Sequence, residues 1–371
     1  MGRFTKQDEQ YMRRALELAR EHLGQTHPNP VVGCVIVKED RIIGEGAHTK
    51  AGRPHAEIEA LKNVKEDPRG AKVYLNLEPC THKGRTPPCA PKLIEAGIRE
   101  AVIAMEDPNP IVHGRGIKAL RDAGVRVKTG LMEDEARVLN EAFVTYHTKN
   151  RPFIVVKWAM TLDGRMSSDS GSSKWISNNT SREYVHRIRS QMDAIMVGIG
   201  TVIKDNPRLN VRLDGYEGRQ PHRVIVDGFL RIPLRSRCLQ LDGGGPALIL
   251  TGASTRLERR KRALREFGHT VLECKSKHGF IDVYEIFQKL HDANIQSVMI
   301  EGGSQLQTSI FEEGLFDKLI CFIAPKIIGG RNMRNPIEGG GIEDMKNAIE
   351  LEQIVIRNFE DDVCIEGYRI N

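Results

Sequence analysis

Met12, Leu16, Ala19 and Leu23 recur at helical spacing, which predicts an amphipathic helix over residues 5–23, with Thr5 able to cap its start and Gly24 to end it. The period then changes. An apolar run over 31–37, the turn Lys38-Glu-Asp-Arg41 and a second stretch over 41–47 predict two strands. A helix beginning near His55, a strand over 72–77 and a helix running to Ala96 and stopping at Gly97 follow. Strands near 101–105 and 125–129 flank a helix over 116–123. This alternation predicts a layered α/β domain.

The segment Thr148-Lys-Asn-Arg-Pro152 is polar and ends in proline, which places a linker there. The pattern restarts with a strand at 153–160. Further strands are predicted near 194–197, 223–227, 247–250, 297–300 and 319–324, with helices near 180–190, 257–267, 282–292 and 304–313. The expected division is therefore residues 1–147 and 151–371, two α/β domains. They show no repeat of one another, so they do different jobs. A length of 371 residues agrees with two cores.

Composition adds exclusions. Forty per cent apolar and 28% charged residues describe a soluble globular chain, not a disordered or fibrous one. No apolar run approaches the roughly 18 residues of a membrane span. The start MGRFTKQDEQ has no apolar core for a signal peptide, and Lys6 stands where a myristoylation signal needs Ser or Thr. A cytoplasmic protein is expected. The net charge of +6 divides into +3 on each side of residue 150, so neither half is a basic nucleic-acid-binding domain, although a mild excess suits a phosphorylated small molecule. Seven cysteines without a secretory signal argue against a disulfide framework. Cys34 and Cys321 sit in apolar strand runs, and Cys238, Cys274 and Cys364 have no motif around them. Cys80 and Cys89 remain.

His55-Ala-Glu57 followed by Pro79-Cys80 and Pro88-Cys89 is the strongest chemical signal. One imidazole and two thiolates make a tetrahedral zinc site with its fourth position open to water. Glu57, two residues after His55 on the first helical turn, can reach that position without ligating and can carry a proton. A closed structural site would need a fourth ligand, for which His82 and His48 are available. H-x-E followed by P-C and a second Cys is, however, the zinc-deaminase arrangement. Deaminases acting on nucleosides or tRNA use P-C-x-x-C, whereas eight residues separate these cysteines. The insertion carries Lys83 and Arg85. A basic loop beside the metal suits an anionic group on the substrate; a solvated loop is the plainer alternative.

The second half holds Met160-Thr-Leu-Asp-Gly164, Ser173-Lys-Trp-Ile-Ser177, Val197-Gly-Ile-Gly-Thr201, Asp205-Asn-Pro-Arg-Leu209 with Arg212, and Glu301-Gly-Gly-Ser304. Ile203 occupies the third glycine position after Gly198 and Gly200, so a Rossmann fingerprint is unsupported. Glu301-Gly-Gly-Ser304 lies between an apolar strand and a helix. Its glycines serve either a phosphate approaching a helix N-terminus or a tight turn needing positive φ.

With His27-Pro-Asn-Pro-Val-Val-Gly33, Gly46-Ala-His48, Pro54-His-Ala-Glu57, Leu77-Glu-Pro-Cys80, Gly84-Arg-Thr-Pro-Pro-Cys89 and Asp107-Pro-Asn-Pro-Ile111, in this order, the chain resembles the bifunctional riboflavin-biosynthesis deaminase/reductase family over essentially its whole length. The resemblance implies a cytidine-deaminase-like α/β domain followed by a dihydrofolate-reductase-like α/β domain. It implies zinc on His55, Cys80 and Cys89, Glu57 as proton shuttle, Asn29 and His48 on the pyrimidine and its ribose, and Arg85 near the phosphate. For the second domain it implies NADPH against Met160, Trp175, Thr201, Asp205, Gly303 and Ser304. Ser173, Arg189, Leu209, Arg212 and Glu301 are implied to hold the sugar-phosphate substrate. Where the family commonly has a hydroxyl residue after Asp227, this chain has Gly228. Asp205 and Glu301 are the candidates for a proton donor. The expected partners are phosphorylated pyrimidine small molecules and further copies of the chain as a homo-oligomer, with no nucleic acid and no membrane. A tRNA or nucleoside deaminase with an appended domain would instead carry a basic face and the short cysteine spacing, and a zinc-bearing scaffold would not need Glu57.

Overall fold

The computed structural model describes residues 4–81, 87–168, 175–240, 245–277, 279–330 and 335–370. Two compact units, Met1–Asn150 and Arg151–Asn371, divide the chain.

The first unit runs α1 (Lys6–Arg20), β1 (Gly33–Lys38), β2 (Arg41–Ala47), α2 (Ala56–Lys62), β3 (Lys72–Leu77), α3 (Cys89–Glu95), β4 (Glu100–Met105), α4 (Arg115–Asp122), β5 (Arg126–Thr129), α5 (Glu133–Leu139) and α6 (Glu141–Lys149). Thr5 caps α1 as the sequence suggests, in a reciprocal box with Asp8. Asp8 also accepts a hydrogen bond from the Tyr74 hydroxyl at 2.7 Å, which ties the helix start to β3. The sheet has the order β2-β1-β3-β4-β5. β1 is antiparallel to both β2 and β3, and β3, β4 and β5 are parallel. The period of two sorts the side chains between two cores. Val35, Tyr74 and Val102 pack on α1 and α5, while Ile36, Leu75 and Ile103 pack on α2, α3 and α4. A Cβ on Gly33 would lie 2.0 Å from the Ala15 carbonyl oxygen, so α1 rests directly on the backbone of β1.

The second unit runs β6 (Phe153–Thr161), α7 (Asn179–Gln191), β7 (Ala194–Gly198), α8 (Ile199–Asp205), β8 (His222–Val226), β9 (Leu248–Gly252), α9 (Glu258–Glu266) and β10 (Thr270–Cys274). There follow a hairpin of β11 (Ser276–Lys277) and β12 (Phe280–Ile281), α10 (Val283–Asp292), β13 (Ser297–Ile300), α11 (Ser304–Glu312), β14 (Lys318–Ala324), β15 (Leu351–Phe359) and β16 (Asp362–Arg369). The large sheet has the order β10-β9-β8-β7-β13-β6-β14-β16-β15. It is parallel from β10 to β14 and closes with the antiparallel pair β16 and β15. Arg151 opens the unit with a two-pronged ion pair to Asp317 at 2.6 and 2.7 Å. The same carboxylate accepts the Ile154 N–H, and the Asp317 carbonyl accepts the N–H of Arg369.

The hydrophobic pattern did not reveal α5, α6, α8, β10, the hairpin, β15 or β16. β15 is an edge strand exposed along most of its length, so it lacks the in–out alternation that marks a half-buried strand.

Candidate active sites

In the first unit the chemistry gathers where the starts of two helices, α2 and α3, meet the segment after β3. His55 is the N-cap residue of α2, Glu57 lies in the first turn of that helix, and Cys89 is the first residue of α3. Cys80 follows β3, and its carbonyl accepts the N–H groups of Cys89 and Ala90, both at 3.1 Å. The ligand atoms of His55, Cys80 and Cys89 all lie within 4.8 Å of one another. His55 Nδ1 is 3.3 Å from Cys89 Sγ and 3.6 Å from Cys80 Sγ. One nitrogen and two sulfurs at this mutual spacing fit zinc and leave a coordination position for a non-protein ligand. The Cys89 hydrogen bond, aided by His55, pulls the Cys80 thiol down to about 4. Conversely, the hydrogen bond to Cys80 and burial push the Cys89 thiol up. Glu57 is 3% exposed, and burial, reinforced by the Cys80 charge, pushes its carboxyl up to about 7. A carboxyl balanced near neutrality can both take and return a proton.

His48 is engaged at both ring nitrogens. Nδ1 lies 3.1 Å from the Pro54 carbonyl, which can only accept, so Nε2 accepts from Asn29 Nδ2 at 3.0 Å. Burial lowers its pKa and keeps the ring neutral. His48 is therefore not a fourth metal ligand. Instead it orients the Asn29 amide.

The second unit has a cavity of about 590 Å³ lined by Trp175, Arg189, Thr201, Glu301, Gly303 and neighbours from β6, α7 and α8. It opens at the carboxyl ends of parallel strands, the usual place for a ligand in such a sheet. Arg189 reaches across it and grips both Glu301 oxygens, one through Nε at 2.6 Å. Burial pushes the Glu301 carboxyl up, but Arg189 overcomes this and holds it below its ordinary value. The two glycines after Glu301 form a bare backbone strip. Gly302 and Gly303 have φ of 154° and 94°. A Cβ on Gly302 would lie 2.9 Å from Thr201 Oγ1, and one on Gly303 3.1 Å from the Gly198 backbone. The turn reading holds, since both glycines have positive φ; Gly303 is also the N-cap of α11, beside that helix's first N–H groups. Trp175 is 67% exposed, has a left-handed φ of 68°, and stacks with Arg182 at 4.4 Å. An exposed indole and a side-chain-free strip beside a helix start suit a dinucleotide's ring and phosphates.

Comparison with known proteins decides the family. Residues 5–105 match the cytidine and deoxycytidylate deaminase zinc-binding region, and residues 152–365 match the RibD C-terminal domain. The riboflavin biosynthesis protein RibD of Aquifex aeolicus is 43% identical over 358 residues, covering 96% of this chain and 97% of that protein. The chain belongs to the RibD family. The RibD of Escherichia coli is 39% identical over 372 residues, with 97% of this chain and 98% of that protein covered. A solved structure of Acinetobacter baumannii RibD is 36% identical, has a TM-score of 0.90 and covers 99% of both chains. Another from Thermotoga maritima, described as a diaminohydroxyphosphoribosylaminopyrimidine deaminase/5-amino-6-(5-phosphoribosylamino)uracil reductase, is 35% identical with a TM-score of 0.85, covering 98% of this chain and 99% of that one. RibD proteins are bifunctional, with a zinc-binding deaminase domain and a reductase domain, and this α/β pair is built accordingly.

Within this RibD-family chain, the cavity of the second unit brings together Trp175, Arg189, Thr201, Asp205, Arg212, Glu301, Gly303 and Ser304. Met160 and Leu209 do not line it. Met160 packs half-buried against the core of the unit, and Leu209 is 2% exposed. Arg85 and Ser173 lie outside the described residues, as does His82. Arg189 favours the ionised form of Glu301, and Asp205 is exposed at the end of α8. The sequence reading missed Lys157 and His186, which also line the cavity. Burial lowers the Lys157 pKa. The same cause, with Arg189 and Arg212 beside it, pushes His186 down to about 4. The available signal was Lys157 itself, a cation inside the apolar run Phe153-Ile-Val-Val-Lys-Trp158.

Proposed function

We propose that the first unit hydrolytically deaminates 2,5-diamino-6-(5-phosphoribosylamino)pyrimidin-4(3H)-one. The second unit then reduces the ribosyl group of the product to give 5-amino-6-(5-phosphoribitylamino)uracil. The observation that carries the reading is the cluster of His55, Cys80 and Cys89 with buried Glu57 beside it, on one chain with a reductase-type cavity. The deaminase domain is assigned to residues 1–147 and the reductase domain to 151–371.

Zinc, when bound by His55, Cys80 and Cys89, acidifies the attacking water toward neutral pH. Glu57 takes one proton from the attacking water and gives it to a ring nitrogen, then carries the second proton, from the hydroxyl now on the ring carbon, to the leaving amine, so that ammonia departs and a carbonyl oxygen remains. Asn29, oriented by neutral His48, reads the edge of the pyrimidine. Arg85 holds the phosphate.

NADPH supplies the hydride to C1′ of the sugar. Trp175, Thr201, Asp205, Gly303 and Ser304 are assigned to the cofactor. Ser173, Arg189, Arg212 and Glu301 are assigned to the substrate. The Arg189–Glu301 pair fixes one wall of the cavity, so the sugar meets a rigid set of donors and acceptors. The protein works in the cytoplasm as a homo-oligomer on phosphorylated pyrimidines, without nucleic acid or membrane. Seven free cysteines suit that reducing compartment.

The test is incubation of the pure protein with the diaminopyrimidine phosphate, followed by mass analysis. Without NADPH, one product in which oxygen replaces an imino group is expected; with NADPH, the same product gains two hydrogens. Unchanged substrate under both conditions rejects the assignment. Arg85→Ala is expected to weaken binding of the phosphorylated substrate by roughly 1.5–3 kcal/mol, the range for a charged hydrogen bond. A dephosphorylated analogue should be nearly indifferent. Equal losses for the two compounds remove the phosphate role.

A further inference from the structure

A buried carboxylate stands two residues before the metal-binding thiol and is used by none of the chemistry above. Glu78 is 3% exposed. Its Oε1 accepts the N–H groups of Gly116 at 2.8 Å and Ile117 at 3.1 Å. Its Oε2 accepts those of Asp107 at 3.1 Å and Gly114 at 3.0 Å. Gly114 is the N-cap of α4 and has no side chain to cap with, so Glu78 caps that helix from another element. The helix start also lies against the ligand segment itself, because a Cβ on Gly116 would come 1.9 Å from the Pro79 carbonyl oxygen. On the other side, the Cys80 carbonyl caps α3. The three residues Glu78-Pro79-Cys80 are thus clamped between two helix N-termini.

We infer that Glu78 is a positioning residue: by binding four backbone N–H groups around the start of α4, it fixes the direction in which Cys80 presents its sulfur to the metal. This rests on reading His55, Cys80 and Cys89 as the zinc ligands. Four donors leave a carboxylate no freedom to rotate. An amide in its place turns an NH₂ group toward two of the donors, and the ligand segment must move.

The experiment uses the full-length protein loaded with zinc, and separately with cobalt, whose absorption reports thiolate ligation. Glu78→Gln is expected to weaken metal affinity roughly 10–100-fold, the usual cost of losing a ligand's supporting contact. Its cobalt–thiolate band should shift, while NADPH oxidation with the deaminated intermediate stays unchanged. Glu78→Asp keeps the charge but retracts it by one methylene, and should fall between wild type and Gln. It carries the test if Gln does not fold. Glu100→Gln is the control: this carboxylate is 2% exposed and pairs with Arg126 and Lys128 at the start of β4. Its loss should lower stability and leave metal release and the cobalt spectrum as in wild type. Wild-type metal retention and spectrum in a folded Glu78 variant overturn the inference, as do equal changes in Glu100→Gln. A wild-type protein with no cobalt–thiolate band overturns the ligand assignment instead.

Discussion

Glu57→Gln should retain about one zinc per chain and lose ammonia release by roughly 10²–10⁴-fold, the usual contribution of a positioned acid/base group. The change is nearly isosteric at a fully buried position and leaves the donor atoms of His55, Cys80 and Cys89 in place. What it removes is a carboxylate that burial holds near neutrality beside the cluster. Cys89→Ala is the counterpart. Cys89 is fully buried as the first residue of α3, and without its sulfur only two donors remain, so zinc and deamination should disappear together. Zinc content by elemental analysis and ammonia release by a coupled assay separate the cases. Substantial zinc loss from Glu57→Gln would move Glu57 into the metal shell. Full occupancy in Cys89→Ala would mean another residue completes the site.

Removing Glu301 should have an equally large effect on the other activity alone. Glu301→Ala leaves Arg189, whose side chain is 13% exposed, without the carboxylate it now grips. Breaking a buried pair on one side costs about 3–5 kcal/mol, and Arg189 must turn away to find water. The wall that should hold the sugar then moves, and an ångström of misplacement can cost about 100-fold in rate. Reduction of supplied intermediate should be abolished or badly slowed in Glu301→Ala, and slowed in the gentler Glu301→Gln. Ammonia release should not change in either, because every residue assigned to deamination precedes Asn150. NADPH oxidation and ammonia release followed separately decide this. If either Glu301 variant stops ammonia release while still folded, or if Glu57→Gln stops reduction of supplied intermediate, the two sites are not independent.

The deaminase cluster was legible because its geometry is local. His55 and Glu57 are held by one helical turn, and both cysteines follow prolines at the start or approach of a helix. Glu78 was not legible as a supporting group, because its four donors come from residues 107–117 and only the fold brings them near. In the second unit, Arg189 and Glu301 are 112 positions apart, and no spacing rule announces their pairing. The resemblance named both residues but not the ion pair. It also brought in Met160 and Leu209, which the cavity does not use for its lining. Strands β6, β7 and β13 were plain because buried parallel strands are near-continuous apolar runs. α5 opens on Glu133, Asp134 and Glu135, too polar a first turn to stand out from a connection.

The clamp on Asp317 has a topological consequence. The Arg151 guanidinium holds its carboxylate, and the Arg369 N–H holds its carbonyl. The beginning and the end of the second unit therefore meet at a single residue. A polypeptide whose ends touch is a ring in all but one bond, and adjacent ends are what make circular permutation tolerable. Joining Arg151 to Arg369 through a short bridge and reopening the chain at an exposed loop tip leaves the strand order of the large sheet as it is. The reductase cavity, made of residues 157–335, lies wholly inside that ring.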